Sequence, residues 1–269
     1  MQKPADLETA RTLEAESFST ASKLLAEDLV FVEQIANLYK RIQGHYTKLG
    51  ATIKSITPEE AVLLQAVMSC RHLLVRGVLT LLRGQLGDSF GHLRKSAEFT
   101  LFAARVLEKE GTAIKWLNAA VSAQHWNDYK DSFKINNMTH MIPSRREKEW
   151  TNLKDDLPKL NLVIDNTYDE ASKRLHATVL AAGPEHRPDG LTFFDGYVDQ
   201  RIMVEPKNIV EPYFFTLWRH LDIADVHAQV LLKRSSKDFN EAVWLADFDP
   251  LEQKIESRIL WWRQKTEEN

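Results

Sequence analysis

Side chains four residues apart share one helix face, and two rows of polar residues in this chain have that spacing. Arg94 and Glu98 form one row, flanked by Leu93, Ala97, Leu101 and Phe102. Tyr168, Ser172 and His176 form the other, flanked by Leu175 and Val179. If the rows meet in a cleft, a histidine held by a carboxylate or arginine can bind an anionic ligand or move protons near neutral pH. His176, Arg94 and Glu98 are therefore the catalytic candidates. Tyr168, Ser172, Arg174, His72 and Arg76 are the ligand-binding candidates; His72 and Arg76, again four apart, would extend the seam or face solvent. The same residues also fit an internal network that sets how helices pack, because buried polar groups are costly unless they satisfy one another. The residues alone leave both readings open.

Most enzyme classes find no support. There is no GxxxxGK[ST] loop, no GxGxxG after a strand, no HExxH and no GxSxG elbow. The paired ExxH elements of di-iron bundles are missing too. Nine histidines are scattered without a ligand spacing, and Cys70 is the single cysteine. The expectation is no metal, no cofactor and no disulfide framework, with Cys70 a small buried residue in an apolar helix.

A formal charge of -3 supplies no overall basic field for nucleic acid. Hydrophobic content of 43% with 27% charged residues fits a globular chain with a sizeable core. The N-terminal residues lack the charged start and apolar run of a secretory signal. The most apolar stretch, 61–82, is interrupted by Gln65, Arg71, His72 and Arg76, which argues against a membrane span. The expected location is the cytoplasm, with no membrane partner.

Ten glycines and nine prolines in 269 residues are few, and long breaker-free stretches favour helices. Apolar residues from Leu25 to Ile42 recur at helical spacing, predicting one long, bent helix over 7–48 that ends near Gly44. Thr57-Pro58-Glu59-Glu60 is a capping box with proline at the first helical position, opening a helix to residue 83. Gly84 ends it, and the short link sends the next helix, 86–110, back antiparallel. A helix over 112–133 would bury Ile114, Leu117, Val121 and Trp126. Ser144 to Glu147 offers a second capping box, opening a charged, solvated helix; another helix follows over 165–182. Residues 191–198 carry an Asp-Gly hairpin signature. Helices over 206–234 and from an Asp249 cap onward complete the chain, with Trp218, Trp261 and Trp262 expected in the core. The predicted fold is all-α, a single domain built as an antiparallel bundle of about eight helices with a small β-hairpin insertion near 191–198. Its parts are an N-terminal helix and linker (1–56), a core (57–182), the insertion (183–205) and C-terminal helices (206–269).

The run LLVRGVLTLLRGQLGDSFGHLRKSAEFTLFAARVL, followed much later by YDEASKRLH, resembles a signature of bacterial helical proteins that are similar to the HEPN superfamily. That resemblance implies a helical domain, with Arg94, Glu98, Tyr168, Ser172 and His176 at family-like positions. Several members of the superfamily are metal-independent ribonucleases of toxin and phage-defence systems. Those enzymes carry an arginine and a histidine in one helix, near a dimer interface. Here Arg41 and His45 are too close for that motif, Arg219 and His227 too far apart, and Arg174 and His176 nearly adjacent.

The expected function is thus a non-enzymatic binding or regulatory module, in a bacterial stress or defence setting, with a homodimer or a protein partner. The alternative is a HEPN-like ribonuclease with a rearranged site, in which RNA would be the partner. There His176 would take the 2′-hydroxyl proton while Arg94 or Arg174 stabilised the phosphate.

Overall fold

The computed structural model describes residues 7–49, 56–133, 206–233 and 239–267, and these form eight helices. In chain order they are α1 (Leu7–Leu24), α2 (Val30–Leu49), α3 (Pro58–Leu82), α4 (Leu86–Glu108), α5 (Thr112–Leu117), α6 (Ala123–Ser132), α7 (Pro206–Lys233) and α8 (Glu241–Glu267). No strand occurs among the described residues. The hairpin expected over 191–198 lies outside them, as do the helices expected over 144–157 and 165–182.

The hairpin of α3 and α4 is the most extensive packing in the molecule. It begins as its residues dictate. Thr57 Oγ1 accepts from the Glu60 amide at 3.2 Å, and Glu60 Oε2 accepts from the Thr57 amide at 3.0 Å. Gly84 reverses the chain with φ 84°, a left-handed conformation suited to glycine. At Gly77 the two helices pack face to face: a Cβ there would sit 3.5 Å from His92 Cβ and 3.6 Å from Ser89 O, ordinary contact distances. Leucines, valines and alanines line α3's inner face, with Leu63, Leu74 and Leu81 fully buried.

Helix α7 lies across this hairpin and touches α2, α3 and α4, while α8 covers α7 and α2. All three contribute to one apolar core, through Tyr213, Leu217 and Leu221 on α7, Ile35 and Ile42 on α2, and Trp244 and Phe248 on α8. By length and composition alone, α3 is long and apolar enough to cross a bilayer. Half of its most apolar window is buried against other helices, which is how a core helix passes the same test.

Four boundaries differ from those expected. The long N-terminal helix is two helices, parted by turns over 25–29, with no proline or glycine at the break. The cause is tertiary. Asp28 is buried, and its carboxylate accepts from Arg258 Nε and from Trp262 Nε1 at 3.0 Å. Its carbonyl accepts from the Tyr213 hydroxyl at 2.6 Å. Helix α2 also continues through Gly44 to Leu49, carrying His45 into a buried edge contact with Phe239.

The helix expected over 112–133 is likewise two. Ser122 caps the second by accepting from the His125 amide at 3.2 Å. Ile114, Leu117, Val121 and Trp126 are all exposed instead of buried; Thr112, Ala113 and Phe133 take the core positions. Finally, α8 starts at an Asn240 cap, well before Asp249, with Asn240 Oδ1 accepting from the amides of Ala242 and Val243. Pro250 falls inside the helix, where it removes one backbone hydrogen bond. Burial of Trp244, Phe248, Leu251 and Ile255 on both sides of it offsets that loss. Of the expected core tryptophans, Trp262 is buried and Trp218 partly so. Trp261 is 40% exposed, its ring faced by Arg258 and Lys265.

Candidate functional site

Arg94 and Glu98 do pair along α4, with Nε 3.3 Å from Oε1, and both are about three-quarters buried. They face α6. Burial raises the Tyr129 phenol above its ordinary value, and the Glu98 charge adds to the effect. Two turns on, Arg105 donates to the Ser132 carbonyl on the same side. Tyr168, Ser172, Arg174 and His176 lie outside the described residues, so the second row is not placed against the first.

His72 and Arg76 belong elsewhere. Both are exposed on α3. With Lys95 of α4, His72 edges an open groove of about 620 Å3 along the α3/α4 hairpin. Leu64, Met68, Leu73 and Phe99 supply apolar walls, and Gln65 and Ser69 add polar ones. Met68 is 48% exposed, and Val75 two turns on is 39% exposed.

The antiparallel register gathers charge at one end. His92 stands beside Gly77, so Lys95 falls about one turn back, level with the His72 region of α3. Partial burial lowers the His92 imidazole. Asp88 opposes that shift, while Arg76, Lys95 and His72 reinforce it. Two permanent cations and two histidines thus share this end with one carboxylate. Neither Arg76 nor Lys95 has an ion-pair partner among the described residues.

A second polar cluster, unforeseen from the sequence, is enclosed where α2, α3, α4 and α7 meet. The Tyr39 hydroxyl lies 3.1 Å from both His220 Nδ1 and the His220 carbonyl. One hydroxyl proton serves one acceptor. Donation to the carbonyl, with Nδ1–H donating to the phenol oxygen, satisfies all three groups. That tautomer leaves His220 Nε2, which has no partner, as a bare lone pair rather than an orphaned donor.

Two turns along the same face of α7, His227 Nε2 is 3.2 Å from Thr100 Oγ1 and 3.6 Å from Cys70 Sγ. Thr100 donates to the Ser96 carbonyl at 2.8 Å, so its oxygen accepts from His227.

Full burial decides what these groups can do. It pushes His220 and His227 down to about 3 and the Cys70 thiol up to about 12. Both imidazoles are neutral and the thiol stays protonated, the opposite of an activated nucleophile. With Tyr39, Cys70 and His220 all fully buried, no substrate reaches them. This cluster is structural.

Sequence reasoning recognised His72 and Arg76 but missed Lys95, His92, Tyr39, His220 and His227. His220 and His227 are seven apart, two turns along one helix face, and that spacing was a readable signal. Lys95 was recoverable only by aligning the two helices of the hairpin. Among the described residues, no group of three His, Cys, Asp or Glu side chains is placed to hold a metal. No family model, curated protein or solved structure matches the chain, so the functional argument rests on this arrangement.

Proposed function

We propose that this chain is a non-enzymatic helical binding module whose site is the groove along α3 and α4. The observation that carries the reading is the join of exposed apolar surface at Met68 with Lys95, which has no ion-pair partner among the described residues, and with His72 in one open groove. Its volume falls within the roughly 300–1,000 Å3 of small-molecule sites, which are mostly apolar with a few placed polar groups. A setting in bacterial stress or phage defence, and a homodimer, rest on the HEPN resemblance alone.

The ribonuclease alternative is less favoured. It offers Arg94 or Arg174 to the phosphate; Glu98 stands 3.3 Å from the Arg94 guanidinium, and Arg174 lies outside the described residues. The test pairs two assays on the purified chain. A neutral apolar fluorophore, N-phenylnaphthylamine, should brighten on binding, and Met68→Glu should abolish the response. RNA incubated with the protein in EDTA should remain intact. Cleavage that is lost in His176→Ala, together with an unresponsive fluorophore, would replace this reading with the ribonuclease.

A further inference from the structure

Resting on the binding-module reading, we infer that the α3/α4 groove takes a single-chain amphiphile with an anionic headgroup, of the fatty-carboxylate class. The tail lies along Leu64, Met68 and Phe99, and the head sits between His72 and Lys95.

Three observations lead there. The first is polarity along the groove. Leu64 and His72 are eight residues apart on α3, roughly 12 Å at 1.5 Å per residue. Both charge-bearing lining residues, His72 and Lys95, lie toward one end of that span, while Leu64 and Met68 lie toward the other, with Gln65 and Ser69 as uncharged polar members between. Such a gradient matches a molecule with one apolar and one charged end.

The second is sign. Lys95 is the permanent charge among the groove's lining residues, His72 beside it adds a hydrogen-bond donor, and no carboxylate is among those lining residues. The balance is positive, so an anionic head gains charge-assisted hydrogen bonds that a hydroxyl gains only weakly and an ammonium loses.

The third is size. Ten residues line the groove, whereas a stable protein partner engages about 20–30 residues on each side. A slender chain fits that footprint. Each methylene laid on the Met68 end should tighten binding by up to roughly fourfold.

The test is displacement of N-phenylnaphthylamine from the full-length chain by decanoate, decanol and decylammonium. Decanoate should compete roughly tenfold more strongly than decanol, and decylammonium should compete least. The double variant His72→Gln/Lys95→Gln should bring decanoate level with decanol, weakening decanoate far more than decanol. Both positions are exposed, so the variant should fold, and an unaltered thermal melt checks this.

Equal competition by decanoate and decanol on the wild-type chain would overturn the anionic head and leave the binding module standing. A fluorophore that fails to bind, or binds Met68→Glu as well as wild type, would remove both readings.

Discussion

The phenol oxygen of Tyr39 lies 3.1 Å from the Nδ1 atom of His220 and 3.1 Å from the carbonyl of the same residue, so one hydroxyl ties α2 to α7 at two points. The residues are 181 positions apart, and both are fully buried. Tyr39→Phe removes the oxygen while keeping the ring, and strands Nδ1–H without a partner. It should cost about 1–3 kcal/mol, read as a lower urea midpoint with an unchanged slope. An unchanged midpoint would show that the contact contributes nothing.

Acid should loosen the fold through His220 and His227. Burial holds their folded values near 3, below the unfolded value of 6.5. Between those limits the unfolded chain binds more protons. Stability is therefore complete above about pH 6.5 and declines as pH falls, by roughly 1.4 kcal/mol per pH unit for each histidine. Urea melts at pH 7 and pH 5 measure this. His227→Gln, whose amide can still donate to Thr100, should flatten the decline by about half of the histidine contribution. A variant as acid-sensitive as wild type would assign the effect to other groups.

Asp28 should be worth more than an ordinary ion pair. It is 1% exposed and accepts from both Arg258 and Trp262, and Glu27 meets the same guanidinium at 3.1 Å. Asp28→Ala leaves the buried indole N–H of Trp262 without an acceptor and the partly buried Arg258 with Glu27 alone. The expected loss is about 3 kcal/mol, discounted for the 21% exposure of Arg258. Asp28→Asn, which can still accept from Trp262, should lose less. If the two variants melt together, the hydrogen bond to Trp262 carries no weight.

Cys70 should be inert in the folded protein. Its thiol is fully buried and pushed up to about 12, with its proton directed at the Ser96 carbonyl 3.4 Å away. A chromogenic disulfide reagent should label it at the rate of global opening, and at once in denaturant. Fast labelling of the native chain would mean the α3/α4/α7 junction opens locally.

Much of this architecture was legible in the residues. The start of α3 is written in Thr57 and Glu60, its end in Gly84, and the antiparallel return of α4 in the shortness of the link. Capping and turn chemistry act between near neighbours, so local sequence encodes them completely. The pairing of Arg94 with Glu98 and the burial of Cys70 follow from helical periodicity in the same way.

What local sequence could not encode depends on partners far along the chain. Residues 25–29 contain no breaker, yet the helix parts there because Arg258, Trp262 and Tyr213, more than 180 positions away, claim Asp28. Periodicity marks Ile114, Leu117, Val121 and Trp126 as one apolar set, but which face is covered depends on where α4 lies, and these four stay exposed. The groove is of the same kind. His72 reads with Arg76 along α3 and Lys95 carries no signal of its own, until the packing of α3 against α4 brings His72 and Lys95 to one edge. Periodicity names the faces of a helix; contact between faces is a property of the packed whole.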